Sequence, residues 1–235
     1  MTAAHGALTA AMIAVAGTPE RSPDLDGRLL TIAKLTADRV GAARYASITA
    51  LLGGHHTTVA VSDELIRAVD EAQYADDAGP CLESLSRGTP IGVPAIDTMV
   101  QWPKFHEMAP RMGLVASVSV PLFAGRGEPI AVLNIYGTDH AAMAPLIAGI
   151  WAVHGDPART TLDEALAGLD DGGRELVSGY AEALAVRATI RLAIELIRSE
   201  NHCGPEDAYL SLCIRAAGTG STLAETAADL IGRGP

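Results

Sequence analysis

The sequence predicts an α+β fold, an antiparallel sheet covered by helices and followed by a small three-helix, all-α module. Three observations predict it. Short β-rich runs punctuated by Gly and Pro occur up to residue 137, helical periodicity surrounds them in an order that is neither alternating βαβ nor pure β, and beyond Gly137 only helical signals remain. Hydrophobic residues make up 49% of the 235 and charged ones 19%, enough apolar surface to exclude disordered and low-complexity chains. The formal charge of −11, from 17 Lys and Arg against 28 Asp and Glu, opposes DNA, RNA and anionic membranes unless a local basic face exists.

The elements follow in order. Ala7 to Gly17 is apolar, but no Lys or Arg precedes it and Glu20 follows, so a helix fits better than a signal peptide. From Leu25 to Val40, Leu25, Leu29, Ile32, Leu35 and Val40 recur near helical period behind Asp24. Tyr45 to Leu52 and His56 to Val61 are β-rich runs joined by Gly53-Gly54, a dipeptide that supplies the positive φ of a tight hairpin. Ser62 is placed to cap a helix to about Ala72, and a loop through Gly79-Pro80 leads to a short helix, Cys81 to Ser86. Ile91 to Ile96, with Pro90 and Pro94 unable to donate to a ladder, is a short edge strand. Trp102-Pro103 opens a helix that Gly113 ends, and Ser117 to Phe123 and Pro129 to Tyr136 are strands around the Gly125 to Gly127 turn.

The second part is helical. Met143 to Val153 is a buried helix, Gly155 to Thr160 a loop, and Thr161-Leu-Asp-Glu164 a capping box. Asp170 to Gly173 breaks the chain before a long helix, about Arg174 to Asn201. On it Leu176, Tyr180, Ala183, Arg187, Ile190, Ile194 and Ile197 make a heptad-like seam with one charged interruption, which predicts pairing with a second copy. Gly204-Pro205-Glu206-Asp207 stops one helix and starts another, to about Ala217, and the Thr222 to Glu225 capping box opens the last. The expected organisation is an N-terminal helix or arm over 1–24, a sensor domain with a helical extension over 25–173, and a connecting helix with a three-helix module over 174–235.

Several segments carry a resemblance. Tyr45-Ala-Ser-Ile-Thr49, Ala72 through Glu83, Trp102-Pro-Lys-Phe105, Ser117 through Phe123 and Ala131 through Tyr136 resemble a GAF domain, in that family's order. Arg187 through Ile194, Cys203, Glu206 through Tyr209, Leu212, Arg215 through Ala217 and Leu223 through Ala227 resemble an ANTAR domain, named for RNA-binding transcription antiterminators. The whole is similar to actinobacterial regulators that join the two. The ANTAR pattern has departures: its Ala-Lys-Gly is Ala193-Ile194-Glu195 here, its paired Arg align to Cys213 and Ile214, and its Arg-Lys to Ser221 and Thr222.

The resemblance implies a GAF-like sheet with a small-ligand site lined by Tyr74, Cys81, Trp102, Phe105, Ser117, Asn134 and Tyr136, aromatic walls with a few polar groups suiting a mostly apolar concave site. An ordinary core without a ligand is the alternative. For RNA, the residues are Arg187, Arg191, Arg198 and Arg215; the first three lie on one helical stripe, while Glu195 and Glu200 offer them ordinary helix pairing instead. From residue 187 onward five Arg meet six acids, so this module is near neutral and the acidity belongs to the sensor. Cys81 follows Gly79-Pro80 at a predicted helix start, where partial positive charge favours thiolate, while Asp76, Asp77 and Glu83 oppose it; a small buried apolar side chain is the simpler role.

No motif of catalysis is present: there is no P-loop, G-x-G-x-x-G or G-x-S-x-G, and the seven His and three Cys lack metal-ligand spacing. Three Cys suit a reducing cytoplasm, and no apolar run reaches the roughly 20 residues of a membrane span. The expected protein is therefore a non-enzymatic cytoplasmic homodimer without cofactor, binding an unidentified small ligand and structured RNA hairpins but neither DNA nor membrane. The alternatives are the same fold with RNA binding lost, serving association or protein signalling, and a thiol enzyme using Cys81.

Overall fold

Gly53 and Gly54 take φ of +58° and +84°, turning β1 (Tyr45–Leu52) back on β2 (His55–Val61) as the dipeptide predicts. β3 (Ile91–Val93), β4 (Ala116–Ala124) and β5 (Glu128–Gly137) complete a five-stranded, fully antiparallel sheet in the order β2-β1-β5-β4-β3. The computed structural model describes residues 6–155 and 161–233. Of the loop read at Gly155 to Thr160, only Gly155 lies within the described residues.

Strand alternation gives the sheet two chemically distinct faces. Ala46, Ile48 and Ala50 of β1, Val118, Val120 and Leu122 of β4, and Ala131, Leu133 and Ile135 of β5 form one aliphatic face. It is covered by α1 (Ala7–Ala16), α2 (Leu25–Arg39), α6 (His140–His154) and the first half of α8 (Asp171–Asn201). The opposite face is roofed by α3 (Arg67–Asp76), α4 (Pro80–Arg87) and α5 (Pro103–Arg111). Every residue of β4 is buried as a result.

The N-terminal segment is part of this architecture. Leu8, Met12, Val15 and Ala16 of α1 join the main core, as expected of a helix that is apolar all round. Glu175 of α8 accepts from the Leu8 N–H at 3.1 Å and pairs with Arg39 at 2.7 Å, satisfying an orphan donor of α1 while tying α1, α2 and α8 together. At the crossing of α1 and α8, a Cβ on Gly179 would stand 2.9 Å from Thr9 Cα, so the helices approach backbone to backbone.

Some boundaries differ from expectation. A 3₁₀ turn, Glu64–Ile66, precedes α3 and is capped by Asp63 rather than Ser62, whose Oγ instead accepts from the Ala46 N–H. The edge strand stops at Val93 because Pro94 cannot continue the ladder, and a 3₁₀ turn occupies Ile96–Thr98. Asp170 to Gly173 does not break the chain. Asp170 is the N-cap of α8, accepting from the Gly173 N–H at 2.7 Å, and Gly172 and Gly173 form its first turn against the end of α2. α8 therefore runs without interruption across residues 173 and 174.

Beyond α7 (Leu162–Ala165) and α8, α9 (Pro205–Thr219) and α10 (Leu223–Arg233) complete the helical module, with the Thr222/Glu225 capping box in place. Their core is Ile190, Ala193, Ile194 and Ile197 of α8 with Ala208, Leu212, Ala216, Leu223 and Ala227. Leu176, Tyr180 and Ala183 of the seam are buried in the main core. The seam predicted to pair with a second copy is thus covered within the chain, by the sheet and α1 along its first half and by α9 and α10 along its second. Periodicity reports a buried stripe without saying which neighbour buries it.

Two glycine substitutions test this account. Gly172→Ala places a Cβ on the Arg39 carbonyl, a backbone group that cannot yield, and lowers stability by about 1–3 kcal/mol. Gly27→Ala, in α2 with open space around it, raises stability by about 0.5–1 kcal/mol. Urea denaturation of the full chain measures both.

Candidate functional site

On the roofed face the inward side chains are polar where a simple core would be aliphatic. Ser47 and Thr49 of β1, Ser117 and Ser119 of β4, Asn134 and Tyr136 of β5 and Thr58 of β2 are all buried. α3 adds Asp70 and Gln73, both fully buried, because Ile66, Val69, Asp70 and Gln73 share the helix face turned to the sheet. Such groups cost free energy away from water unless they bond to one another.

Most of them do. Asp70 accepts from the Tyr136 hydroxyl at 2.6 Å and from Thr58 Oγ1 at 2.9 Å, while Gln73 Nε2 donates to the Tyr136 oxygen at 3.3 Å. The Tyr74 hydroxyl meets Thr49 Oγ1 at 2.8 Å and Thr58 Oγ1 at 2.7 Å. Asn134 Nδ2 donates to Ser47 Oγ at 3.2 Å and Thr49 Oγ1 at 3.0 Å, and its Oδ1 accepts from Ser119 Oγ at 2.9 Å. Ser117 Oγ, buried between Val93 and Tyr136 in the ladder, has no hydrogen-bond partner among the described residues.

Electrostatics follow from burial. Desolvation pushes the Asp70 carboxyl up from 3.8 to about 6, opposed by its bonds from Tyr136, Ser47 and Thr58 and by the charge of Arg67. Desolvation also raises the Tyr136 and Tyr74 hydroxyls, and the nearby Asp70 adds to both. The Cys81 thiol is buried and lies well above the ordinary range for the same two reasons. The Cys81 N–H, one of the donors that would stabilise an anion at a helix start, is committed to Gln73 Oε1 at 3.0 Å. A thiol in that environment is a poor nucleophile.

All seven sequence-predicted ligand residues lie on this face. Trp102, Phe105 and Tyr136 share one apolar cluster with Val69, Val93 and Leu114, the two rings of α5 and its cap meeting edge to face at 6.3 Å. Tyr74 and Cys81 belong to a smaller cluster with Leu82 and Val132. Asn134 sits in the hydrogen-bonded network and Ser117 beside it. Sequence reasoning missed Asp70, Gln73, Ser47, Thr49, Thr58 and Ser119. The signals were the Ser-Val-Ser-Val alternation at 117–120, which ordinarily marks a solvated face, and two polar residues on the apolar stripe of α3.

The four predicted RNA-contact residues are not gathered into one free surface. Arg187 faces inward: its Nε donates to the Gly127 carbonyl at 2.6 Å and its guanidinium stands 3.9 Å from the Phe123 ring centroid. The charged interruption in the seam is thus in contact with the β4–β5 turn. Arg198 pairs with Glu195 at 2.8 Å, whereas Arg191 is exposed and Arg215, on α9, half-exposed. Among the described residues no group of three or more His, Cys, Asp and Glu is placed to hold a metal, and no helix is long and apolar enough to cross a membrane.

The candidate site is thus framed by a sheet with one aliphatic face under long helices and one roofed polar face. Residues 22–149, over half of the chain, match the GAF domain, and the protein belongs to that family. Two similar solved structures are a type II free methionine-R-sulfoxide reductase from Thermoplasma acidophilum and the GAF domain region of a Geobacter sulfurreducens PCA protein. The first has 13% identity and a TM-score of 0.40, covering 66% of this chain and 93% of its own. The second has 14% identity and a TM-score of 0.43, covering 69% of this chain and 94% of its own. No curated protein matches.

The raised Asp70 carboxyl makes stability depend on pH with a defined sign. A neutral acid suits the buried site, so this contribution is complete below the ordinary 3.8 and is lost as pH rises through about 6. Asp70→Asn keeps the shape without the charge, so its unfolding midpoint is flatter between about pH 4 and pH 6 than that of wild type in pH-resolved denaturation. In the native protein, N-ethylmaleimide labels the half-buried Cys203 and Cys213 well before the buried Cys81, as mass spectrometry of quenched samples will read.

Proposed function

We propose that the protein is a signal-responsive regulator in which a small ligand, acting on the polar face of the GAF domain, changes what the α8–α10 module offers to structured RNA. On this reading its output is transcription antitermination, as the ANTAR resemblance implies, and its setting is the reducing cytoplasm, which three unpaired cysteines suit. The observation that carries the sensing half is the buried polar face itself. Asp70 is bonded within the face, but the Ser117 hydroxyl, buried without a partner among the described residues, is a group that a ligand entering this face would bond.

The RNA half draws its support from the module's core. Ala193, Ala208, Leu212, Ala216, Leu223 and Ala227, all within the ANTAR-like text, are among the residues that pack α8, α9 and α10 together. Arg191 and Arg215 supply accessible cations. A near-neutral module with few such groups implies modest affinity dominated by phosphate contacts.

One observation favours a second reading, in which α9 docks a protein. Leu210 and Ile214, one helical turn apart, are 56% and 71% exposed, and Ile214 stands where the ANTAR pattern it resembles often carries Arg.

Titrating the purified protein with a two-hairpin RNA over a series of salt concentrations separates the readings. RNA recognition predicts binding that weakens steeply with salt. Replacing Arg191 and Arg215 together by Ala lowers the log–log salt slope by about 1–2, roughly one per lost phosphate contact. Absence of binding at low salt ends the RNA reading. Loss of a captured protein on Ile214→Lys, with RNA affinity unchanged, supports the second.

A further inference from the structure

The turn that joins β4 to β5 lies where sensor and helical module meet. Gly125 and Gly127 take φ of +57° and +82°, which lets the tip fold tightly between its neighbours. Three segments hold it, the one at residues 18–20, α8 and α9. The Gly125 N–H donates to the Thr18 carbonyl at 2.9 Å. The Arg126 backbone N–H and Nε both donate to Glu20 Oε1 at 3.2 Å, and its other arm reaches Glu206 of α9 at 3.3 Å. The Gly127 carbonyl takes the Arg187 Nε of α8 at 2.6 Å, and the Phe123 ring lies under the same guanidinium. The Glu20 N–H in turn donates to the Tyr209 hydroxyl of α9 at 3.4 Å.

Three features make this junction separable. Arg187 falls between two hydrophobic cores: Ala183 belongs to the sheet's core and Ile190 to the module's. The ion pairs of Arg126 are solvent-accessible, its side chain 38% and that of Glu206 81% exposed, and pairs of that kind are weak. Clefts of about 380 and 310 Å³ flank Arg126 on either side, so the contact is polar and open rather than close-packed. The same two strands carry Ser119 and Asn134, and the ladder register shifts between Leu122 and Phe123, between those residues and the tip.

We infer that the β4–β5 turn is an autoinhibitory latch, clamping α9 and the Arg187 turn of α8 to the strand tip and withholding Arg187 from any external partner until the strands beneath it shift. A ligand opens the latch only to the extent that it binds the open arrangement better than the closed one. That the withheld partner is RNA rests on the function proposed above; the clamp itself does not.

The test uses the full chain carrying Glu20→Gln and Arg126→Ala together. Arginine modification by phenylglyoxal, mapped by mass spectrometry, reads Arg187 against the exposed Arg191 as internal reference, while amide exchange reads residues 205–219. The latch predicts that Arg187 of wild type reacts at least fivefold more slowly than Arg191. In the double variant it gains at least fivefold, α9 amides exchange at least threefold faster, and the sheet amides are unchanged. Equal labelling of Arg187 and Arg191 in wild type, or no gain in the variant, overturns it. If sheet exchange reveals a misfolded double variant, Tyr209→Phe, which removes only one hydroxyl at the α9 contact, is read by the same two measurements. Two-hairpin RNA is then added to each: tighter binding in the opened variant, abolished by a further Arg187→Gln, supports the whole scheme. A labelling gain without RNA binding leaves the latch standing and removes the RNA reading alone.

Discussion

Burial of both faces of β4 and β5 is the constraint on which the rest of the structure depends. Strand alternation sends Val118, Val120, Leu133 and Ile135 one way and Ser117, Ser119, Asn134 and Tyr136 the other, and neither set meets water. The aliphatic set is satisfied by area, so long helices cover it. The polar set needs partners in number and direction, which is why α3 turns Asp70, Gln73 and Tyr74 toward the sheet rather than toward solvent. The roof of the polar face is therefore chemically specified, and the cover of the aliphatic face only sterically.

The long helix carries that asymmetry into the helical module. Its first half is one wall of the main core and its second half one third of the module's core, so α8 is shared rather than appended. A residue facing inward at the junction cannot be aliphatic on both sides of a gap that the β4–β5 turn also enters with a carbonyl. Arg187 meets both demands, its stem lying along the helix and its guanidinium bridging Gly127 and Phe123. The charge that interrupts the seam is thus the piece that joins sensor to module.

Most of the fold was legible in the sequence. The Gly53-Gly54 hairpin, the Pro103 helix start and the Thr161 and Thr222 capping boxes are local devices, and each appears where its residues stand. Gly172-Gly173 misled because two glycines ordinarily punctuate a chain, whereas here they let one helix end touch another, a fact of packing rather than propensity. The candidate site was half legible. Its aromatic wall and Asn134 are visible through family resemblance, but Ser119, Thr58 and Asp70 look like surface residues until the roof is placed over them.

By itself, then, the sequence determined element types, the two hairpins and the α+β class, because these rest on periodicity, turn chemistry and caps that act over a few residues. The tertiary structure alone decided that α1 belongs to the core, that the α8 seam is buried by its own chain, and that Arg187 faces a strand turn about 60 residues earlier in the chain. It alone raised Asp70 to about 6. The reason is common to all four: burial and partnership depend on which surfaces meet across long sequence separations, and a side chain's period along its own helix or strand records that it faces something without naming what.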